Sequence, residues 1–173
     1  MGTTTHESSL RYKIKRLMRN ESLDNESIED WLVDVANDRG ARVVFRATGG
    51  VRENRKFPGQ EEFSNEELVV ALCQLNCADR PQILRLASQL ISGMELKLND
   101  LLRLAVMERA SRVVKDIAEQ ALKVDPKHPA WVFLNQSLQK ETKLAEPLLH
   151  WTRLAEPLFA PHSTKNIGWK LVS

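Results

Sequence analysis

The stretch SNEELVVALCQL, residues 64–75, joins a helix start to an apolar helix face and decides the fold class. Ser64 and Glu67 have the spacing of a capping box, in which each side chain bonds a free backbone amide at the helix start. The apolar residues after this box recur at helical spacing, as Leu68, Ala71, Leu72 and Leu75. We therefore expect residues 64–160 to form a mainly α-helical bundle or a short stack of helix pairs.

Further helix signals follow this stretch. Asp79 is placed to cap the next helix, with Pro81 in its first turn, where a missing amide costs no hydrogen bond. Residues 95–124 are apolar at helical spacing and predict two helices joined near Ser111 rather than one long helix. Pro129 predicts the start of the last helix in this series.

Two helices and a hairpin are predicted before residue 64. Residues 9–20 are amphipathic, and residues 27–38 follow a second capping box formed by Ser27 and Asp30. Gly40 is placed to take the left-handed turn that ends the second helix. We expect residues 9–58 to form a small α+β module.

The strands of this module are predicted from residues that alternate in polarity. Residues 41–47 alternate, Thr48-Gly49-Gly50 suits a tight turn, and residues 51–57 could return as the second strand. Residues 161–173 form a C-terminal tail or a strand that joins this hairpin. Residues 1–8 are polar and are expected to be a disordered tail.

The composition, and the lack of a signal-peptide pattern, predict a cytoplasmic protein rather than a membrane protein. The chain has 173 residues, of which 42% are apolar and 28% charged, an ordinary globular composition. Its longest apolar run, Leu68 to Cys73, is far shorter than the roughly 20 residues that span a bilayer. The N-terminal residues have no signal-peptide pattern, and two cysteines are too few for a secreted disulfide framework.

Charge is arranged in blocks along the first third of the chain. Residues 11–19 carry only bases, residues 20–38 only acids, and residues 39–56 only bases apart from Glu53. These blocks either neutralise one another within the fold or leave a basic surface for an anionic partner. In the second case the candidate nucleic-acid contacts are Arg11, Lys13, Lys15, Arg16, Arg42, Arg46, Arg52, Arg55 and Lys56.

A five-residue sequence occurs twice near the end of the chain. Leu-Ala-Glu-Pro-Leu stands at residues 144–148 and again at 154–158. Its prolines predict short broken helices rather than one rod. Trp151 lies between the two copies and is expected to be exposed, so that Trp151, Leu148 and Leu158 are candidate partner contacts. The other tryptophans, at 31, 131 and 169, are predicted to pack in the core.

Residues 121–138 resemble the junction between two tetratricopeptide repeats. The residues that carry the resemblance are Ala121, Leu122, Asp125, Pro126, Trp131 and Leu134. An offset of 34 residues, the length of that repeat, also aligns residues 65–72 with 99–106. HEAT-like packing would leave similar traces. The resemblance, around residues 65–138, implies a stack of helix pairs that binds a peptide or protein on its concave face.

No motif in the sequence predicts catalysis, a metal site or a cofactor. Cys73 and Cys77 share a helix face but lack two further ligands nearby, so we expect buried thiols. None of the four histidines belongs to a hydrolase or zinc-protease motif, and His128 is predicted to stand at a helix start. Gly49-Gly50 lacks the helix, lysine and hydroxyl residue of a phosphate loop.

Two functional hypotheses remain, and neither is enzymatic. The first is an adaptor or assembly protein that binds another protein, or a second copy of itself, through a helical surface. The alternative is a nucleic-acid-binding protein that uses the basic N-terminal helix and hairpin. The sequence does not identify the partner, the oligomeric state or the biological process.

Overall fold

The computed structural model describes residues 9–21, 23, 27–41, 56–74 and 80–151. These residues contain seven helices and no strand. The helices are α1 (Ser9–Asn20), α2 (Ile28–Asp38), α3 (Asn65–Gln74), α4 (Pro81–Gly93), α5 (Leu98–Met107), α6 (Ser111–Leu122) and α7 (Pro129–Ser137). The prediction of a mainly helical protein is confirmed.

The predicted strands lie largely outside this part of the chain. The hairpin falls on residues 42–55 and the C-terminal strand on residues 161–173, none of which is described. Residue 41 and residues 56–59, at the two ends of the hairpin, are not in a strand. The hairpin and the C-terminal strand therefore stay predictions, as does the disordered tail at 1–8.

Helix α3 lies at the centre of the bundle. It packs against α1, α2, α4, α5 and α6. All residues from Leu68 to Cys73 are buried, which agrees with an apolar sequence that has no polar face along that stretch. One helix with neighbours on so many sides is the arrangement of a bundle, and it gives no evidence of tetratricopeptide-like or HEAT-like repeats.

The predicted capping box at the start of α3 is complete. The Glu67 amide donates to Ser64 Oγ at 3.1 Å, and the Ser64 amide donates to Glu67 Oε2 at 2.9 Å. Lys13 of α1 also donates to both carboxylate oxygens of Glu67, at 2.7 and 2.8 Å. The Glu67 carboxylate therefore caps α3 and attaches α1 to it.

Two neighbours of Glu67 attach other elements to the same helix start. Glu66 Oε1 accepts from the Lys97 amide at 2.6 Å, at the N-cap of α5. Asn65 Oδ1 accepts from Arg39 Nη1 at 3.1 Å, and Arg39 stacks over the Phe63 ring at 5.6 Å. Burial lowers the pKa of Arg39, and nearby Asp38 and Glu67 oppose that shift.

Helices α2 and α5 end in the same backbone motif. In α2 the Ala41 amide donates to the Ala36 carbonyl, and Gly40 takes a positive φ of 96°, as predicted. In α5 the Ala110 amide donates to the Ala105 carbonyl at 2.8 Å, and Arg109 has a φ of 59°. Arginine there fills a backbone position that favours glycine. The predicted break between α5 and α6 is confirmed.

Two other helix starts were predicted with different outcomes. Helix α7 begins at Pro129 with His128 at the N-cap, as expected. Helix α4 begins at Pro81, but its N-cap residue is Arg80, which makes no side-chain capping bond. The prediction of Asp79 as the cap is wrong, because the chain enters the helix one residue later and Pro81 then occupies the first helical position.

The two predicted modules share one core within the described ranges. Leu10, Ile14 and Met18 of α1 are buried in the same apolar cluster as α3 and α4. Trp31 and Trp131 are fully buried, which confirms their predicted core positions. The Trp31 ring lies 5.5 Å from that of Phe63, just before α3, and this contact fixes α2 against the bundle.

Candidate functional site

Helix α6 carries a row of polar residues that are buried rather than exposed. Ser111 and Lys115 form one i, i+4 pair, Asp116 and Gln120 form a second pair on the adjacent side of the helix, and each residue is at most 7% exposed. We call these four residues the α6 strip. Residues 139–151, which we call the strap, follow α7 and cover the α6 strip without forming a regular α-helix. Most of the strip's contacts are to strap backbone atoms.

Lys115 binds the first part of the strap. Its Nζ donates to the Glu141 carbonyl at 2.7 Å and to the Gln139 carbonyl at 3.4 Å. Ser111 Oγ donates to Glu141 Oε1 at 2.9 Å. Because a buried ammonium group is costly without hydrogen bonds, these carbonyls offset part of the desolvation of Lys115.

Asp116 binds the later part of the strap. Its Oδ2 accepts from the Leu148 amide at 2.9 Å, and the Leu149 amide also donates to this carboxylate. Burial raises the pKa of Asp116, and the two amide hydrogen bonds act in the opposite direction. The carboxylate thus binds two successive amides at a bend of the strap.

Two contacts at the margin complete the site. Gln120 Oε1 accepts from the Trp151 amide at 3.3 Å. Lys143 of the strap lies 3.6 Å from Glu119, with its side chain 75% exposed. An exposed ion pair of this length contributes little stability, so the amide contacts and apolar packing hold the strap.

Apolar side chains of the strap fill the bundle surface beside α6. Leu149 is 1% exposed, and Leu148 and Trp151 are half-buried against the core. The expectation of an exposed Trp151 is therefore wrong, because its ring packs against the bundle while its amide is held by Gln120. Leu158, the third candidate partner contact, lies outside the described residues.

The first copy of Leu-Ala-Glu-Pro-Leu is part of this strap. Residues 144–148 form bends, so the prediction that no single rod continues there is confirmed. The predicted short helices are absent from residues 139–150, and Trp151 is in a 3₁₀ helix. Pro147 has no amide to donate, and the two amides after it both reach Asp116. The second copy falls on undescribed residues.

None of the α6 strip residues belongs to a sequence motif that predicts a function. Lys115, Asp116 and Gln120 are charged or polar at positions that a helix normally exposes to water. Their burial depends on a strap that follows the end of α7 and has no secondary-structure period of its own. The repeated motif is the sequence feature that points to the strap. Its prolines disfavour a helix, so nearby backbone groups need hydrogen-bond partners in another part of the chain.

The basic residues of α1 divide into two groups. Arg11, Lys15, Arg16 and Arg19 are exposed, whereas Lys13 is half-buried in its ion pair with Glu67. Tyr12 lies on the exposed side of the helix and is 65% exposed. Helix α1 has no acidic residue. It therefore presents a basic surface with one aromatic ring.

The second basic block is mostly outside the described ranges. Arg42, Arg46, Arg52 and Arg55 are not described, and Lys56 is exposed. In the acidic block, Glu29 forms an ion pair with Arg80 at the start of α4. At least one of the acids therefore neutralises a base outside the N-terminal blocks.

Of the cysteine and histidine residues, the structure describes Cys73, His128 and His150. Cys73 is a buried thiol in α3, and Cys77 is not described. His128 Nε2 lies 3.0 Å from the Ser92 carbonyl, which links the start of α7 to α4. His150 stacks near Trp151, and His6 and His162 are outside the description. Within the described ranges, no three His, Cys, Asp or Glu residues are grouped as metal ligands would be.

Comparisons with protein-family models, curated proteins and solved structures found no match for this chain. Among the described helices, none has the length and apolar character needed to cross a bilayer.

Proposed function

We propose that this protein is a non-enzymatic interaction protein of the cytoplasm that binds, on the α6 strip, a segment of a partner protein that lacks regular secondary structure. The strap is then an internal occupant of the binding site. The partner is another protein or a second copy of this chain. The observation that carries the proposal is the recognition of the strap backbone by Lys115, Asp116 and Gln120.

Backbone recognition suits a peptide-binding surface. Carbonyl and amide groups occur in every partner, so these contacts contribute affinity while a side-chain pocket selects the sequence. Here Leu149 supplies the buried side chain, and Trp151 packs at the margin. A segment without regular structure loses conformational entropy when it binds. This loss lowers its affinity, so the strap can be exchanged for another segment.

A labelled peptide tests this proposal in the full chain. Leu149→Asp places a carboxylate at a buried apolar position, so the strap should leave the α6 strip. A fluorescent peptide with the sequence of residues 143–151 should then bind in a saturable manner, measured by anisotropy. It should bind wild-type protein at least about tenfold more weakly, since the tethered strap competes at high effective concentration.

The matched control adds Asp116→Ala to Leu149→Asp. This change removes the acceptor of two strap amides, so peptide affinity should fall further. Circular dichroism of each variant establishes that its helices are intact. A folded Leu149→Asp chain that does not bind the peptide would contradict the proposed function.

A second candidate function is nucleic-acid binding through α1. It is favoured by the exposed bases Arg11, Lys15, Arg16 and Arg19 and by Tyr12, whose ring is available for stacking. Lys13 is already paired with Glu67 and contributes less. The predicted hairpin would add further bases to this surface.

A salt titration tests this alternative. Changing Lys15, Arg16 and Arg19 to Gln should weaken binding to mixed DNA or RNA and reduce the salt slope by about 0.9 per lost duplex phosphate contact. The control changes the exposed bases Arg103, Arg112 and Lys127 to Gln, which alters the net charge equally at positions outside α1. Equal effects of the two triple variants, or no binding at low salt, would remove this candidate.

A further inference from the structure

The strap sequence recurs ten residues later with its contact positions kept. Residues 143–149 are KLAEPLL and residues 153–159 are RLAEPLF. The identity of the five central residues extends to similar residues at both ends, a base before them and an apolar residue after them. The repeated unit is therefore seven residues long in chemical terms.

Each contact that the first copy makes with α6 has a counterpart in the second. Lys143, which lies near Glu119, is matched by Arg153. The amides of Leu148 and Leu149, which donate to Asp116, are matched by those of Leu158 and Phe159. Phe159 also supplies an apolar side chain at the position of buried Leu149.

Two contacts beyond the repeat have no counterpart. Ser111 Oγ donates to the Glu141 carboxylate, but the residue ten positions later is Trp151. The Trp151 amide donates to Gln120, but the residue ten positions later is Pro161, which has no amide hydrogen. Phenylalanine is also larger than the leucine that the bundle surface accommodates. The second copy therefore fits the same site with lower affinity, which explains why the first copy occupies it.

We propose that the α6 strip is a binding site for the motif base-Leu-Ala-Glu-Pro-Leu-apolar, and that residues 153–159 are its second ligand, binding in place of residues 143–149. This inference rests on the proposed function of the α6 strip. The exchange lengthens the connection from α7 by ten residues, which adds little loop entropy. It releases Leu148 and Trp151 from the bundle.

Competition between the copies is measurable in the full-length chain. In Leu149→Asp the second copy should occupy the α6 strip and compete with the labelled 143–151 peptide. Adding Phe159→Asp should remove this competitor and raise the affinity for the peptide by about tenfold. The control His162→Asp adds the same charge beside the motif and should leave the affinity unchanged.

Direct binding of a 153–161 peptide gives the second arm of the experiment. It should bind the Leu149→Asp/Phe159→Asp chain about three- to tenfold more weakly than the 143–151 peptide, since it lacks one hydrogen bond. If only the 143–151 peptide binds, the second-ligand proposal fails and the proposed function stands. If neither peptide binds a folded chain, both fail.

Milder variants keep the proposal testable if the aspartate variants do not fold. In Leu149→Ala the Leu158 amide should become protected from hydrogen exchange, because it binds Asp116 in place of the Leu148 amide. In Leu149→Ala/Phe159→Ala that protection should be lost. Equal exchange rates of Leu158 in the two variants would overturn the proposal.

Discussion

Helices α3 and α6 are both largely buried, but different interactions bury them. Between Leu68 and Cys73, α3 has apolar side chains on every side, and its polar contacts are confined mainly to its first turn. Helix α6 instead buries Ser111, Lys115, Asp116 and Gln120 under the strap. Apolar burial is non-directional, whereas polar burial requires a defined partner for each group. The difference indicates that apolar packing buries α3, whereas the burial of the polar residues of α6 depends on the strap.

The largest expected effect is a cavity in α3. Leu72→Ala removes a fully buried side chain and should lower the free energy of unfolding by about 2–5 kcal/mol. Urea denaturation measures the loss. Val106→Ala, at a position that is 55% exposed, is the control and should change the stability by less than about 0.5 kcal/mol. Similar losses at the two positions would break the assignment of α3 as the central helix.

A smaller loss is expected from the α6 strip. Asp116→Ala leaves the Leu148 and Leu149 amides without their acceptor and should cost about 1–3 kcal/mol. Glu119→Ala on the same helix removes the ion pair with the exposed Lys143 and a like charge near Asp116, and it should cost about 0–1 kcal/mol. Equal costs in chemical denaturation would show that the strap contacts do not contribute to stability.

The pH dependence of stability gives a further test of the polar burial in α6. Burial raises the pKa of Asp116 in the folded state, so the folded protein binds a proton there more readily than the unfolded chain. The contribution of Asp116 to stability is fully present below the pKa that its carboxyl has in the unfolded chain. It is lost as the pH rises through the higher pKa of the folded protein. Asp116→Asn keeps an oxygen acceptor but cannot titrate. The stability of the wild type relative to Asp116→Asn should therefore increase as the pH falls, and a pH-independent difference would contradict this assignment.

The smallest expected losses are at the helix caps. Ser64→Ala removes the acceptor of the Glu67 amide at the start of α3, and Ser27→Ala removes that of the Asp30 amide at the start of α2. Each should cost about 0.5–2 kcal/mol in thermal or urea unfolding. Ser64→Ala should cost more, because Glu67 also binds Lys13 and α1 depends on its position. The reverse order would show that the α3 cap acts locally.

The sequence was sufficient to predict features that depend on nearby residues. The capping box at Ser64, the N-cap at Ser27, the left-handed Gly40 and the break near Ser111 all follow from local rules, and each is present in the structure. The buried positions of Trp31 and Trp131 followed from helical spacing. These features need no knowledge of the tertiary arrangement.

The features that the sequence did not predict depend on distant residues. Glu66 and Lys97 are 31 residues apart, and Asp116 and Leu148 are 32 apart, so no spacing rule connects them. From the sequence alone, the polar residues of α6 would be expected to face water. They are buried because the strap covers them. Trp151 was expected to be exposed because no helical or strand pattern places it against the bundle. Local sequence patterns therefore predicted the helices but not the polar contacts between α6 and the strap.

The turn at Arg109 has a consequence for the length of the helices and for engineering the chain. An uninterrupted helix over residues 98–122 would extend about 37 Å and could not bring α6 back against α5. The left-handed turn achieves this reversal with an exposed arginine, at a conformational cost of about 1 kcal/mol relative to glycine. Arg109→Gly should therefore raise the melting temperature while leaving both helices and the strap in place, and it offers a stabilised background in which to study the weaker α6 variants.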